Sequence, residues 1–157
     1  MRIVIAVDES THSQRAVDLV QRLRWPAGSC VLVVTALPSE DHSEGTPASA
    51  SRDSSRANRG ATEARLTQVQ DGLRAIGVSS AHRILEGDPR EALIRLIEAE
   101  HVDLLVLGSR GRLGLLHVLL GSVSSHAVSH AGCSVLVVKG PFKPAVEVLE
   151  APRKRAS

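Results

Sequence analysis

Four short aliphatic runs constrain this chain more than any other feature: Ile3-Val4-Ile5-Ala6-Val7, Cys30 to Ala36, Leu104 to Leu107, and Val135-Leu136-Val137-Val138. They are apolar at nearly every position, not at every second one. An alternating run makes a strand with one wet face; a continuous run of this length must be covered on both faces. Aromatic residues make up only 1% of the chain while 43% is hydrophobic, so the covering layers are also aliphatic. A sheet buried on both sides and linked by helices is the economical arrangement for such a sequence.

The segments between the runs carry the helices. Thr11 to Gln14 fits a capping box with Thr11 or Ser10 as N-cap, and Ala16, Val17, Val20 and Leu23 follow at helical spacing until Trp25-Pro26. Leu66, Val69, Leu73 and Ile76 mark a second helix from about Ala61, closed by Gly77. Ala81 to Glu86, carrying His82 and Arg83, reads as a short, half-exposed edge strand. Asp88-Pro89-Arg90-Glu91 starts a third helix, with Asp88 as N-cap and Pro89 in the first turn; Leu93, Leu96 and Ile97 form its buried face. A fourth helix opens at Gly121-Ser122 and runs to about Ala131. Ser39 to Gly60 is rich in Ser, Arg, Asp, Gly and Pro and reads as a mobile loop inside one domain, residues 1–140, with a tail at 141–157. The result is β-α-β-α-β-α-β-α-β. It predicts an α/β fold with three layers: a doubly wound, five-stranded parallel sheet of order 3-2-1-4-5. In that order the chain reverses direction between strands 1 and 4, and ligands bind outside their carboxyl ends, at Asp8 and Gly108.

The second of those ends opens a glycine-punctuated stretch. After Leu107 come Gly108, Gly111 and Gly114, then Gly121-Ser122 at a helix start, with nine residues between Gly111 and Gly121. Glycines let main chain approach a ligand closely, and the first amides of a helix point at an anion. A buried strand, a glycine loop and a helix start in succession have the layout of a phosphate cradle; the alternative is a plain surface turn, which the convergence with the crevice at Asp8 disfavours. A G-x-x-x-x-G-K-[ST] motif does not occur, which excludes a Walker-type site. Arg110 and Arg112 can supply the positive charge.

The combination of GSRG from Gly108, nine residues, and GSVS from Gly121 resembles the ATP-binding subfamily of the universal stress proteins. VIAVDES near the start and HAGCSVLVVK at the end resemble the first and last strands of that family, so the likeness covers roughly Arg2 to Lys139. It implies a fold of the adenine nucleotide alpha-hydrolase kind, which is Rossmann-like. It also implies ATP, or another adenine nucleotide, with Mg²⁺ or Mn²⁺. Gly108, Arg110 and Gly111 would wrap ribose and phosphates; Gly121, Ser122, Val123 and Ser124 would hold the phosphates. Ala6, Val7 and Ala36 would line the base pocket, Leu107 would belong to the same nucleotide site, and Asp8 would meet a ribose hydroxyl or stand near nucleotide-bound Mg²⁺. Thr35-Ala36 departs from the His-Val pair common at that place. The same likeness implies a homodimer formed by pairing of the last strand, Val135 to Val138, whose apolar edge needs cover in any case.

Catalytic signals are thin. The crevice offers no paired carboxylates and no nucleophile–base couple, and His12 and His117 read as solvated residues, so at most slow ATP hydrolysis is expected. The rival readings are a weak ATPase or self-phosphorylating phosphotransferase using Ser122 or Ser124, and a structural dimer with an empty crevice. His126 and His130 share a helix face but lack a third ligand, so no protein-held metal is expected. A net charge of +2 with scattered basic residues, one Phe, one Trp and no Tyr argues against nucleic acid. No run approaches the about 20 apolar residues of a membrane span, and two unpaired cysteines, Cys30 and Cys133, suit the cytoplasm.

Overall fold

The computed structural model describes the backbone of residues 1–38, 48–111 and 120–140, with side chains described from 57 onward in the second segment. The chain-order elements are β1 (Arg2–Ala6), α1 (Thr11–Arg22), β2 (Cys30–Leu37), α2 (Ala48–Ala75), β3 (Ser79–Glu86), α3 (Pro89–Glu100), β4 (Leu104–Gly108), α4 (Ser122–His130) and β5 (Ser134–Val138). All strand pairs are parallel, in the order β3-β2-β1-β4-β5. This is the predicted doubly wound topology. β1 lies at the centre, with Ala6 level with Val34 of β2 on one side and Leu107 of β4 on the other.

The side-chain alternation of a strand divides each apolar run between two cores. Ile3 and Ile5 of β1 and Val7 just beyond it join Val31, Val33 and Val106 beneath Ala16, Val17 and Val20 of α1 and Leu66 and Leu73 of α2. On the opposite face Val4, Val34, Leu105 and Leu107 meet Leu93, Leu96 and Ile97 of α3 and Ala127 of α4. Both faces of the central strands are dry: Ile5, Val33, Val34, Leu105 and Val106 are all wholly buried. Each such side chain contributes roughly 1.5–3 kcal/mol over its exposed state.

Element ends follow local chemistry. Ser10, not Thr11, caps α1, its side chain accepting from the Ser13 N–H. The helix stops at Arg22, short of the Trp25-Pro26 pair, and the Trp25 Nε1–H donates to the Val20 carbonyl at 3.0 Å, covering an otherwise bare C-terminal acceptor. Asp88 caps α3, accepting from the Arg90 N–H, with Pro89 in the first turn as predicted. Gly77, at φ +81°, closes α2 with its N–H on the Arg74 carbonyl. β3 begins at Ser79, ahead of the predicted Ala81. Its polar start is held by α2: the Gln70 Nε2–H donates to the Ser80 carbonyl and the Ser80 hydroxyl to the Gln70 carbonyl.

One expectation is overturned. Residues 48–60, read as part of a mobile loop, are the first turns of α2. Composition misled because those turns lack an apolar stripe: they do not lie on the sheet. At 1.5 Å per residue a helix of 28 residues is about 42 Å long, whereas the eight residues of β3 reach about 26 Å. The N-terminal part of α2 therefore overhangs the carboxyl end of the sheet. The rest of the supposed loop, 39–47, lies outside the described residues, as do Arg112, Gly114, His117 and the tail from 141.

Candidate functional site

At the carboxyl ends of β1, β2 and β4, the overhang of α2 and the start of α4 enclose a cleft of about 580 Å³. That size is within the range of small-molecule sites. The residues assigned to the nucleotide site from the sequence line it, save Arg112, which is outside the described residues: Ala6, Val7 and Asp8 from β1 and its end; Ala36 from β2; Leu107, Gly108, Arg110 and Gly111 from β4 and the loop beyond; Gly121, Ser122, Val123 and Ser124 from the start of α4.

Asp8 is fixed on one side. Its Oδ1 accepts from the Ser10 N–H at 2.9 Å and from the Ser10 hydroxyl at 2.5 Å, while its own N–H donates to the buried Ser13 hydroxyl. The Ser10 hydroxyl also lies 3.2 Å from the Arg110 carbonyl, so the loops after β1 and β4 share one polar knot. Oδ2 faces the glycine loop: a Cβ built on Gly111 would stand 2.9 Å from it.

The glycines have different reasons to be glycine. A Cβ on Gly108 would come within 2.6 Å of the His12 carbonyl carbon and 2.7 Å of the Ser13 nitrogen, so Gly108 admits the start of α1 against β4. Close helix–strand packing, as well as access for a ligand, explains that residue. At Gly121 a Cβ would lie 3.3 Å from the Arg110 Cα and 3.5 Å from the Gly111 nitrogen. The Gly121 N–H donates to the Ser109 carbonyl at 2.7 Å. The segment leaving at Gly111 thus returns against its own departure point.

That return aims α4 into the cleft. Gly121 occupies the N-cap and supplies no side-chain hydrogen bond, whereas the caps of α1 and α3 do. The N–H groups of Ser122, Val123 and Ser124 belong to the first turn, where intrahelical acceptors are lacking. They and the positive end of the helix dipole favour an anion. Arg110 stands in the same wall and makes no ion pair among the described residues. Ser124 needs a refinement: its hydroxyl is buried and donates to the carbonyls of Ser109 and Gly121, so only its main-chain N–H can serve a ligand. This also removes Ser124 as a phosphoryl acceptor.

The sequence reading missed the α2 wall. Asn58, Thr62 and Arg65, one helical face at i, i+4 and i+7, line the cleft, and Arg65 Nη1 pairs with Glu9 Oε1 at 3.0 Å. Their spacing is visible in the sequence but carries meaning only once the helix is known to extend past Gly60. His12 lies outside the cleft lining; its Nδ1 is 3.5 Å from the Ser109 hydroxyl, too long for a strong hydrogen bond. His126 and His130 stack with ring centroids 4.1 Å apart on the far part of α4. No group of three or more His, Cys, Asp and Glu suited to a metal occurs among the described residues.

A sequence model of the Universal stress protein family matches residues 1–139. The chain belongs to the universal stress protein family. A universal stress protein of Thermus aquaticus is 32% identical over 143 residues, covering 87% of this chain and 97% of the relative. Against three relatives from Methanocaldococcus jannaschii and Synechocystis the matching stretch spans about half of the relative, 46%, 46% and 52%. Among solved structures, a Methanocaldococcus jannaschii protein whose biochemical function was assigned from its structure superposes with a TM-score of 0.80 at 21% identity, covering 90% of this chain and 97% of that one, which shows the shared fold. A universal stress protein solved in complex with cAMP superposes with a TM-score of 0.62 at 26% identity, covering 88% and 96%. No described helix is long and apolar enough to cross a membrane.

Proposed function

We propose that this universal stress protein binds ATP or a related adenine nucleotide, as a homodimer responsive to that nucleotide in the cytoplasmic stress response. The observation that carries the reading is the uncapped start of α4, packed by Gly121 against Arg110 and Gly111 inside the cleft. Phosphate oxygens would accept from the N–H groups of Ser122, Val123 and Ser124, with Arg110 adding charge. Oδ2 of Asp8, which faces Gly111 in the same cleft, would accept a ribose hydroxyl. The adenine would lie toward β2, against Ala6, Ala36 and Leu107, with Val7 beneath. The structure of a relative in complex with cAMP supports an adenine nucleotide as the ligand class.

Mg²⁺ or Mn²⁺ would come with the nucleotide. Asp8 is a carboxylate of the cleft lining that would stand near such an ion, which takes most of its ligands from phosphate and water. When bound, the ion neutralises phosphate charge. High turnover is not expected: His12 lies outside the cleft lining and the Ser124 hydroxyl is engaged by main-chain carbonyls, so no nucleophile–base couple is assembled among the described residues of the cleft. The unpaired thiols of Cys30 and Cys133 fit a reducing compartment.

Titration calorimetry with ATP, AMP and cAMP tests the reading. Gly121→Val would press its side chain onto the Arg110 and Gly111 main chain and over the first α4 amides. ATP affinity should fall about tenfold or more, equivalent to at least ~1.4 kcal/mol. Binding unchanged by Gly121→Val, or no binding to the unaltered protein, would refute it.

A further inference from the structure

Arg65 is the cation of the α2 wall, and its present arrangement is incomplete. Nη1 meets Glu9 Oε1 at 3.0 Å, but Nε is fully enclosed and has no hydrogen-bond partner among the described residues. A guanidinium carries five donors in a rigid fork that matches an oxyanion two bonds at a time. Here one edge of the fork reaches a carboxylate and a donor on the stem is stranded. The carboxylate itself is half exposed, at 51%.

Magnitudes decide which arrangement is the resting one and which the engaged one. An ion pair with an exposed carboxylate shifts an equilibrium by no more than about fivefold. A buried donor left without an acceptor works against its conformer by about fivefold or more. The Glu9-bound arrangement is therefore held weakly and opposed by its own stranded donor. Both residues line the cleft that holds Asp8, Arg110 and the first α4 turn. An anionic oxygen entering that cleft offers the fork a charge-assisted, bidentate partner away from bulk water, which is the stronger of the two pairings.

We infer that Arg65 is a second phosphate-binding residue of the site, exchanging the Glu9 carboxylate for a nucleotide phosphate when ligand enters. The inference rests on the adenine nucleotide reading of the cleft. Glu9 is then a competitor of the ligand, and α2 is tied to the loop after β1 only in the empty state. Ligand entry exchanges a β1–α2 tie for a ligand–α2 tie, which makes the overhang of α2 the element that senses phosphate.

The test uses two variants that break the same ion pair. Arg65→Met should weaken ATP about tenfold in calorimetry and leave adenosine unchanged within about twofold. Glu9→Gln should do the reverse, tightening ATP by about two- to fivefold. Combined with Arg65→Met, Glu9→Gln should bring no gain. If both single variants weaken ATP alike, the pair is only a brace and the inference fails. If Glu9→Gln still tightens ATP without Arg65, the effect is general charge and the inference fails. It also fails if adenosine weakens as much as ATP, or if neither variant changes binding. ATP binding that is lost in Gly121→Val but insensitive to Arg65→Met overturns this inference alone; a wild-type chain that binds no nucleotide overturns it together with the reading beneath it.

Discussion

At the scale of single residues, glycine identity separates ligand access from packing. Gly108 and Gly111 stand in the same short motif, yet the missing Cβ serves different neighbours. At Gly111 the neighbour is a carboxylate oxygen, which a side-chain rotation can move. At Gly108 it is the main chain of His12 and Ser13 at the first turn of α1, which cannot retreat without lifting the helix from β4. Gly108→Ala should therefore act on stability, lowering unfolding free energy by about 1–3 kcal/mol in a urea titration. A variant as stable as the parent would show that α1 is not seated by that contact. The sequence revealed the glycines and their spacing. It did not reveal that Gly108 faces a helix, because the partner is close to one hundred residues away in the chain.

Individual helices differ in how their N-termini are satisfied, and the difference has a pH signature. α3 is closed by Asp88, whose carboxyl is drawn down to about 2, from an ordinary 3.8, first by the Arg90 side chain and then by the Arg90 main-chain N–H. A depressed carboxyl contributes stability that is present above its unfolded value and lost as pH falls through its folded value. The α3 contribution should thus be intact above about pH 4 and disappear toward about pH 2. Asp88→Asn, which keeps a capping oxygen but cannot ionise, should flatten that part of a stability–pH curve measured by chemical denaturation. An unchanged acid slope would contradict the assignment. This cap was legible in the sequence, since Asp-Pro followed by Glu is a local signal. The start of α2 was not legible: an overhanging helix has no apolar face to declare its period, and Ser, Arg and Gly in that stretch mimic a loop.

For the molecule as a whole, topology was the most readable property and assembly the least. Aliphatic runs without alternation require two covering layers, and strict β-α alternation leaves few sheet orders, among them the observed β3-β2-β1-β4-β5. What the molecule does with its edge depends on atoms outside one chain. The Ser134 N–H donates to the Asp103 carbonyl and the Val138 carbonyl accepts from the Ser109 N–H, so alternate residues of β5 face β4. The main-chain groups of Val135 and Val137 then face the open edge. With Val135, Leu136 and Val137 only partly buried, this edge is where the proposed second copy would pair. Val137→Pro removes an outward donor and should convert a dimer to a monomer in analytical ultracentrifugation. A dimer that survives the change must use another surface.

The contact between Ser109 and Gly121 has a further consequence. Because the Gly121 N–H and the Ser109 carbonyl clasp each other, the end of β4 and the start of α4 moor one another, and a strain applied to either is felt at the other.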